Sequence, residues 1–434
     1  MKRVAVVGFL WPYISGSKRT IGLATHLHAY GWEPIVVTAP LRAKPETNFQ
    51  VVESEYIGLF GRAVRSVGLS ERHDVGEQLK ERVSTWPPLV KSALRGSFRI
   101  AMEVLAFPDE HKGWRRFAVE AVDRLVREGE VEAVISVWPV TSHVVARTIK
   151  ERYRIPWIAD LADLWSDNSA YAFGAVRRAL DRRCEVRTLG LADVVTTSSS
   201  PLAERLRQLH RGKEILPVMM GFDPEQLSKP ATPDRARFTV TYTGMFYRGK
   251  RDPAMLLRAV SELLREGVLD PARLDVRFYG PRADWVEQEI REYGLQGVVR
   301  QFGPVPLDTC LALQRQSQIL LQINWSDPEE KGVFSGKFLD YLAARRPVLA
   351  AGGVGSDEVV AAILADTNSG IYAPSLSAIK HALRDWYAEY CRNGVVQFRG
   401  STAKIMTYSN AEMAGTFGRT LDHLVEARHN ARSA

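Results

Sequence analysis

SGKFLDYLAARRPVLA, residues 335–350, places a helix directly before a buried strand. Ser335 is a helix-capping residue, and Gly336 follows it. Phe338, Leu339, Leu342 and Ala343 recur at helical spacing, the mark of one apolar helix face. Pro347 stops the helix, and Val348-Leu349-Ala350 is an apolar run of the kind that lies inside a parallel sheet. A Ser-Gly-Lys helix start gathers free backbone N–H groups, the positive end of the helix dipole and the Lys337 ammonium. That combination suits a diphosphate. Asp340, one turn further in, is within reach of a ribose hydroxyl. An ordinary capped helix with one surface lysine has the same local pattern, so the rest of the chain decides.

Strand and helix signals alternate along nearly all of the 434 residues, which predicts parallel α/β architecture. In the first half, strands are expected at Val4–Val7, Pro34–Thr38, Ala133–Val137, Trp157–Asp160, Val194–Thr197 and Ile215–Val218. Helices such as Thr20–Tyr30 and Ser142–Tyr153 lie between them. Residues 221–237, GFDPEQLSKPATPDRAR, are rich in proline and polar groups and read as a linker. A second series follows, with strands at Thr239–Thr243, Val276–Gly280, Val298–Phe302, Ile319–Ile323 and Pro347–Ala351. Its helices are Pro253–Arg265, Asp284–Tyr293, Leu307–Ser317 and Gly336–Ala344. The expected organisation is a domain over 1–220, the linker, a domain over 238–409 and a final helical segment over 410–434.

Residues 57–118 break the alternation and are basic and aromatic. Lys91, Arg95 and Arg99 recur beside an apolar stripe of Val90, Leu94, Phe98, Ala101 and Leu105. A basic amphipathic helix of this kind either lies on an anionic membrane surface or covers a sheet.

Hydrophobic content of 45% and charged content of 25% are those of a globular protein, and no apolar run is long enough to span a bilayer. MKRVAVVGF reads as a first strand rather than a signal peptide. Cys184, Cys310 and Cys391 are scattered and form no disulfide framework or metal cluster, so a reducing cytoplasm is expected. The formal net charge of +8 favours anionic partners. No zinc-finger spacing, RNP motif or basic zipper is present, which argues against nucleic acid.

In doubly wound folds ligands bind at the carboxyl ends of strands, and several candidate motifs fall there. FLWPYISGSKRT, residues 9–20, follows the first strand, and Gly16 lets a ligand approach the backbone. LADLWSDN, residues 161–168, places Asp160, Asp163 and Trp165 at another strand end. There a carboxylate can accept a hydroxyl proton and an indole can stack on a sugar ring. GMFYRGKRDP, residues 244–253, brings Gly244, Arg248, Lys250 and Arg251 to the rim of the second sheet, where positive charge neutralises a diphosphate leaving group. In FPDEHKGW, residues 107–114, His111 and Lys112 sit in an aromatic, charged segment without clear periodicity and are further candidates on the acceptor side. No Asp-x-Asp occurs, so no metal is expected on the diphosphate.

Taken together, PDEHKGW (108–114), ISVWPVTSHVVARTIKERYRIPWIADLADLW (135–165), LADVVTTSSSPLAERL (191–206), ILPVMMGFD (215–223), YTGMFYRGKRDPAMLLRAV (242–260) and LLQINWSDPEEKGVFSGKFLDYLAARRPVLA (320–350) resemble the bacterial GT-B glycosyltransferases, closest to family 4. The resemblance implies two Rossmann-like domains facing a central cleft, with acceptor binding in the first and a nucleotide diphosphate sugar in the second. By that analogy Lys250 and Ser335–Lys337 contact the diphosphate, Gly16 faces it from the first domain, and Asp340 takes the place of a ribose-binding glutamate. Phe302 to Val305 line the base pocket, and the final helix crosses back to the first domain. Gly332 stands where the family has the first of two glutamates, with Glu329 and Glu330 nearby. Met220, Met245 and Ala162 replace a usual asparagine and two usual arginines.

The function expected is hexosyl transfer from a nucleotide sugar to a sugar or lipid-linked acceptor, retaining and metal-independent. Its setting would be cell-surface polysaccharide or glycoconjugate assembly, in the cytoplasm and peripheral to the inner membrane face. No cofactor is expected beyond the donor. Two further readings stay open: a non-catalytic partner in a biosynthetic complex, and a nucleotide-sugar 2-epimerase.

Overall fold

Apolar runs alternating with amphipathic helices build two sheets, each in its own compact unit. The computed structural model describes residues 1–9, 17–41, 46–58, 105–168, 171, 173–327, 335–353 and 358–433. Gly16, Glu329, Glu330, Gly332 and the basic stripe from Lys91 to Arg99 lie outside the described residues. Unit 1 is Met1–Val218 with Ala414–Ala434, and unit 2 is Met219–Met413.

Unit 1 runs β1 (Lys2–Val7), α1 (Ser17–Leu27), β2 (Trp32–Thr38), β3 (Gln50–Glu53), α2 (Arg115–Arg127), β4 (Ala133–Ser136), α3 (Val140–Tyr153), β5 (Trp157–Leu161), α4 (Ala175–Leu189), β6 (Val194–Thr197), α5 (Ser200–Leu209) and β7 (Glu214–Pro217). Its strands are parallel in the order β3-β2-β1-β4-β5-β6-β7, so the winding reverses between β1 and β4.

Unit 2 runs β8 (Phe238–Thr243), α6 (Ala254–Arg265), β9 (Leu274–Tyr279), α7 (Asp284–Glu292), β10 (Val299–Gly303), α8 (Leu307–Gln316), β11 (Ile319–Ile323), α9 (Lys337–Ala343), β12 (Val348–Ala351), α10 (Glu358–Thr367), β13 (Gly370–Ala373), α11 (Leu376–Asn393) and α12 (Thr402–Met406). Its parallel order is β10-β9-β8-β11-β12-β13, and the reversal falls between β8 and β11. In such sheets the crevice at the reversal, outside the carboxyl ends of the strands, is where ligands bind.

Strands β3 and β13 were not among the expected ones. Both are four-residue edge strands, QVVE and GIYA, half-exposed and without the apolar run that marks a central strand. The paired arginines of ARRPVLA serve the fold. Arg345 closes α9 in the left-handed region at φ 52. Arg346 is buried and donates to the carbonyls of Ser317, Gln318 and Val396, and burial pulls its pKa down to about 10. Within 221–237, Phe222 and Leu227 are buried in one cluster with Phe338 and Leu342, so part of this stretch belongs to the core of unit 2.

The last helix, α13 (Asn410–Ser433), begins in unit 2 and continues in unit 1. Gly415 and Gly418 lie against the Tyr30 ring, where a Cβ would come within 2.7 Å of its atoms. Asp422 accepts from Lys2 Nζ at 2.9 Å and from Trp32 Nε1 at 3.0 Å. Arg428 donates to the Tyr153 carbonyl.

Candidate functional site

At the reversal of the unit 2 sheet, three strand ends converge on glycines. Gly244, Gly280 and Gly303 follow or close β8, β9 and β10, each at positive φ. Gly244 N–H donates to the Tyr279 carbonyl, and Gly280 N–H to the Gly303 carbonyl. A Cβ on Gly280 would fall 2.1 Å from the Gly244 carbonyl, and one on Gly244 would fall 2.6 Å from Lys337 Nζ. Only glycine fits this floor.

Helix α9 is fixed over it. Tyr341 Oη accepts from Thr243 N–H at 2.8 Å, and Gln314 Nε2 donates to Thr243 Oγ1 at 3.1 Å. Lys337 then lays its Nζ 3.7 Å from the centre of the Tyr242 ring. That nitrogen is buried and has no hydrogen-bond partner. Burial drives its pKa well below the ordinary lysine value, and Arg251 pushes the same way. Gln314 Oε1, Gln322 Oε1 and Asn324 Oδ1, at the ends of α8 and β11, are also buried without partners. Buried polar atoms left unsatisfied are uncommon, and here four belong to residues around the β8 and β11 ends.

The other expected donor residues sit on the rim. Lys250 pairs with Asp327 at 3.0 Å and lies 5.3 Å from the Trp325 ring centre, while Arg251 stacks on the same indole at 5.2 Å. Arg248 is exposed, 6.0 Å from the Trp285 ring centre. Ser335, Gly336 and Asp340 are half-buried, and a Cβ on Gly336 would meet Met220 Sδ at 2.9 Å. Phe302 is exposed and stacks on Tyr279, ring centres 4.9 Å apart, and the Arg300 guanidinium lies 5.0 Å from its ring centre. Val305 is half-buried two residues beyond Gly303.

The reversal of the unit 1 sheet carries an aromatic cluster that no local motif announced. Phe9, after β1, packs edge-on to His111 at 4.5 Å, Trp114 at 4.9 Å, Trp138 at 5.8 Å and Tyr56 at 5.9 Å. His111 also meets Trp138 at 5.1 Å. Both His111 ring nitrogens are buried without a hydrogen-bond partner, and burial lowers its pKa against the pull of Asp109 and Glu110. Asp109 fixes the loop, accepting from Thr141 N–H, Thr141 Oγ1 and His111 N–H. Trp138, after β4, stays 42% exposed, so its indole is open to a ligand. Lys112 is half-buried beside the cluster.

The residues after β5 divide by role. Asp160 is buried and accepts from Arg19 Nε at 2.6 Å, Arg19 Nη2 at 2.7 Å and Thr196 Oγ1 at 2.6 Å. Its carboxylate is spent on the Arg19 ion pair inside the sheet–helix packing. Trp165 is also buried, so the open indole on this sheet edge is Trp138 and not the tryptophan the sequence singled out. Asp163 is an exposed residue, yet neighbouring protein desolvates its carboxyl enough to raise its pKa, against Arg19, which pulls it down. Ser166, three residues on, is anchored by N–H and O–H bonds to the fully buried Glu185, which His210 Nε2 approaches at 3.3 Å.

Residues 16–218 match the model of the glycosyl transferase 4-like domain. Sucrose-phosphate synthase from Thermosynechococcus elongatus superposes with a TM-score of 0.62 at 14% identity, covering 98% of this chain and 100% of its own. The α,α-trehalose 6-phosphate synthase of Burkholderia multivorans gives 0.61 at 12% identity over 100% and 99%. Anabaena HepE, solved with UDP-glucose, gives 0.58 at 12% identity over 98% and 100%. No curated protein matches the chain. Residues 16–218 thus carry a glycosyl transferase 4-like domain, and the chain shares the GT-B fold of these structures.

Proposed function

We propose that the protein transfers a hexosyl group from a nucleotide diphosphate sugar to a hydroxyl of a sugar or lipid-linked acceptor, with retention at the anomeric carbon and without a metal. The observation that carries the donor side is Lys337 Nζ, buried beside a bare Gly244 and near Arg251 with no acceptor of its own. A diphosphate supplies that acceptor and draws a proton onto the amine. The positive rim of Arg248, Lys250 and Arg251 then meets the charge that develops as the glycosyl C1–oxygen bond breaks and its electron pair leaves on the phosphate. Phe302 on Tyr279 offers a stacking face for the base.

On the acceptor side Asp163 accepts the hydroxyl proton, its raised pKa suiting it to that exchange. His111 is the second candidate base, and Trp138 offers its indole to a sugar ring. Asp160 acts through Arg19 as a positioning residue. Lipid-linked acceptors place the reaction at the cytoplasmic membrane surface in cell-surface glycan assembly. No described helix is long and apolar enough to cross a membrane. Like this chain, HepE has the GT-B fold, and its complex with UDP-glucose supports a nucleotide-sugar donor here.

The test is thermal shift across nucleoside diphosphates and their sugars in excess chelator, followed by transfer assays with the stabilising donor. A bound donor raises the melting temperature by mass action. If no nucleoside diphosphate stabilises the protein under any metal condition, the donor assignment fails. If stabilisation or transfer appears only with magnesium or manganese, metal independence fails.

A further inference from the structure

Helix α4, AVRRALDRRCEVRTL, turns an unusual face to solvent. Val176 is 78% exposed, Leu180 47% and Val186 42%, and Leu191 just beyond the helix is 41% exposed. On a helical projection Val176, Ala179, Leu180, Arg183, Val186 and Arg187 share one side. Arg182 flanks it, and all of these residues are exposed. The only acids of the helix, Asp181 and Glu185, point inward. Asp181 is held by Arg177 and Tyr171, and Glu185 by Ser166 and His210. Arg182, Arg183 and Arg187 make no ion pair among the described residues. The face therefore presents three arginines and several apolar side chains with no negative charge.

A solvated helix ordinarily mixes its charge signs. Here the apolar side chains need a dry phase and the guanidinium groups need anions, a pair of demands that an anionic bilayer surface meets together. A second copy of the chain would set arginines against arginines. Nucleic acid would leave the valines and leucine without an apolar partner, and this face has no aromatic ring for bases to stack on.

We infer that α4 is the surface by which the protein docks on an anionic lipid bilayer, with Val176, Leu180 and Val186 entering the headgroup boundary and Arg182, Arg183 and Arg187 binding lipid phosphates. The start of α4 is tied to the acceptor-side loop. Arg177 Nη2 donates to the carbonyls of Ala106 at 2.6 Å and Pro108 at 3.0 Å, just before Asp109 and His111. Docking on α4 brings this loop to the bilayer and so selects acceptors whose anchor lies in it. The inference deepens the membrane clause of the proposed function, and lipid binding is measured without donor or turnover.

The experiment is flotation of the full chain with vesicles of phosphatidylcholine alone or of equal parts phosphatidylcholine and phosphatidylglycerol. Wild type is expected to float only with the anionic vesicles, less so at high salt. Arg182→Glu/Arg183→Glu/Arg187→Glu should lower partitioning about 100-fold, and Val176→Ser/Leu180→Ser/Val186→Ser about tenfold or more. Both variants alter exposed positions and should keep the wild-type melting temperature and its shift with nucleoside diphosphate. Wild type that ignores anionic vesicles, or a charge-reversed variant that floats like wild type, overturns the assignment. So does release from vesicles by polyglutamate together with undiminished flotation of the serine variant, which would mark an acidic protein as the partner. Failed nucleotide stabilisation with intact flotation would count against the transferase reading and leave the docking surface standing.

Discussion

Lys337→Met keeps an unbranched stem against the Tyr242 ring and removes the ammonium. In the unfolded chain the amine stays protonated to about pH 10.4, whereas in the folded protein burial and Arg251 hold its pKa well below the ordinary value. The unfolded state therefore binds the extra proton between the two values. Stability is depressed below that window and recovers as pH rises through it. A buried donor without a partner costs about 1–3 kcal/mol, so the methionine variant should gain stability of that order at neutral pH. Its stability should also vary less between neutral pH and the unfolded lysine value. The same change removes a charge-assisted contact to the donor diphosphate, worth about 1.5–3 kcal/mol, or a loss of about 10- to 150-fold in affinity. Because bound phosphate favours the charged amine, wild-type binding should take up a proton and weaken as pH rises. Urea unfolding of both proteins across pH gives the first quantity. Calorimetry with a nucleoside diphosphate in buffers of different ionisation enthalpy gives the others. A methionine variant that is less stable than wild type and binds the nucleotide equally well would refute the reasoning.

Asp160→Asn strands the buried Arg19 guanidinium, and loss of about 3–5 kcal/mol in urea unfolding is expected. Unchanged stability with abolished turnover would instead return Asp160 to the chemistry. Asp163→Asn should cut transfer about 10²–10⁴-fold with donor affinity intact. Since desolvation of its carboxyl by neighbouring protein raises the Asp163 pKa, wild-type activity should fall with decreasing pH from above the ordinary carboxylate range, a limb that the Asn variant lacks. A destabilised variant with normal turnover would make Asp163 structural. Trp138→Ala should raise KM for the acceptor about 2- to 10-fold with little change in kcat, and an unchanged KM would remove the indole from the acceptor site.

The two sheets were legible because central parallel strands are continuous apolar runs, and Val194–Thr197 and Ile319–Ile323 begin and end as expected. Edge strands lack that signal, which is why Gln50–Glu53 and Gly370–Ala373 passed unseen. Gly244 and Lys337, both singled out after strand ends or at a helix start, lie against each other across 93 positions of chain. What local pattern could not supply was the partner. Asp160 and Asp163 look alike in LADLW and its preceding strand, yet Arg19, 141 positions away, claims one and leaves the other open. Trp165 and Trp138 both follow strands, and only packing from distant segments decides which ring is buried. The aromatic cluster of Phe9, Tyr56, His111, Trp114 and Trp138 draws on four separate stretches, so its one sequence trace was the unperiodic FPDEHKGW.

The division of α13 between the units makes the closing of unit 1 depend on the far end of the chain. Unit 2 is encoded second but is whole once Met413 has been made, while unit 1 still lacks Ala414–Ala434. Until that segment emerges, Lys2 and the indole N–H of Trp32, fully buried in the finished protein, have no Asp422 to meet. The face of Tyr30 that receives Gly415 and Gly418 is likewise uncovered. A chain cut back to Met413 would therefore keep every residue of unit 2 and leave unit 1 open at Lys2, Tyr30 and Trp32.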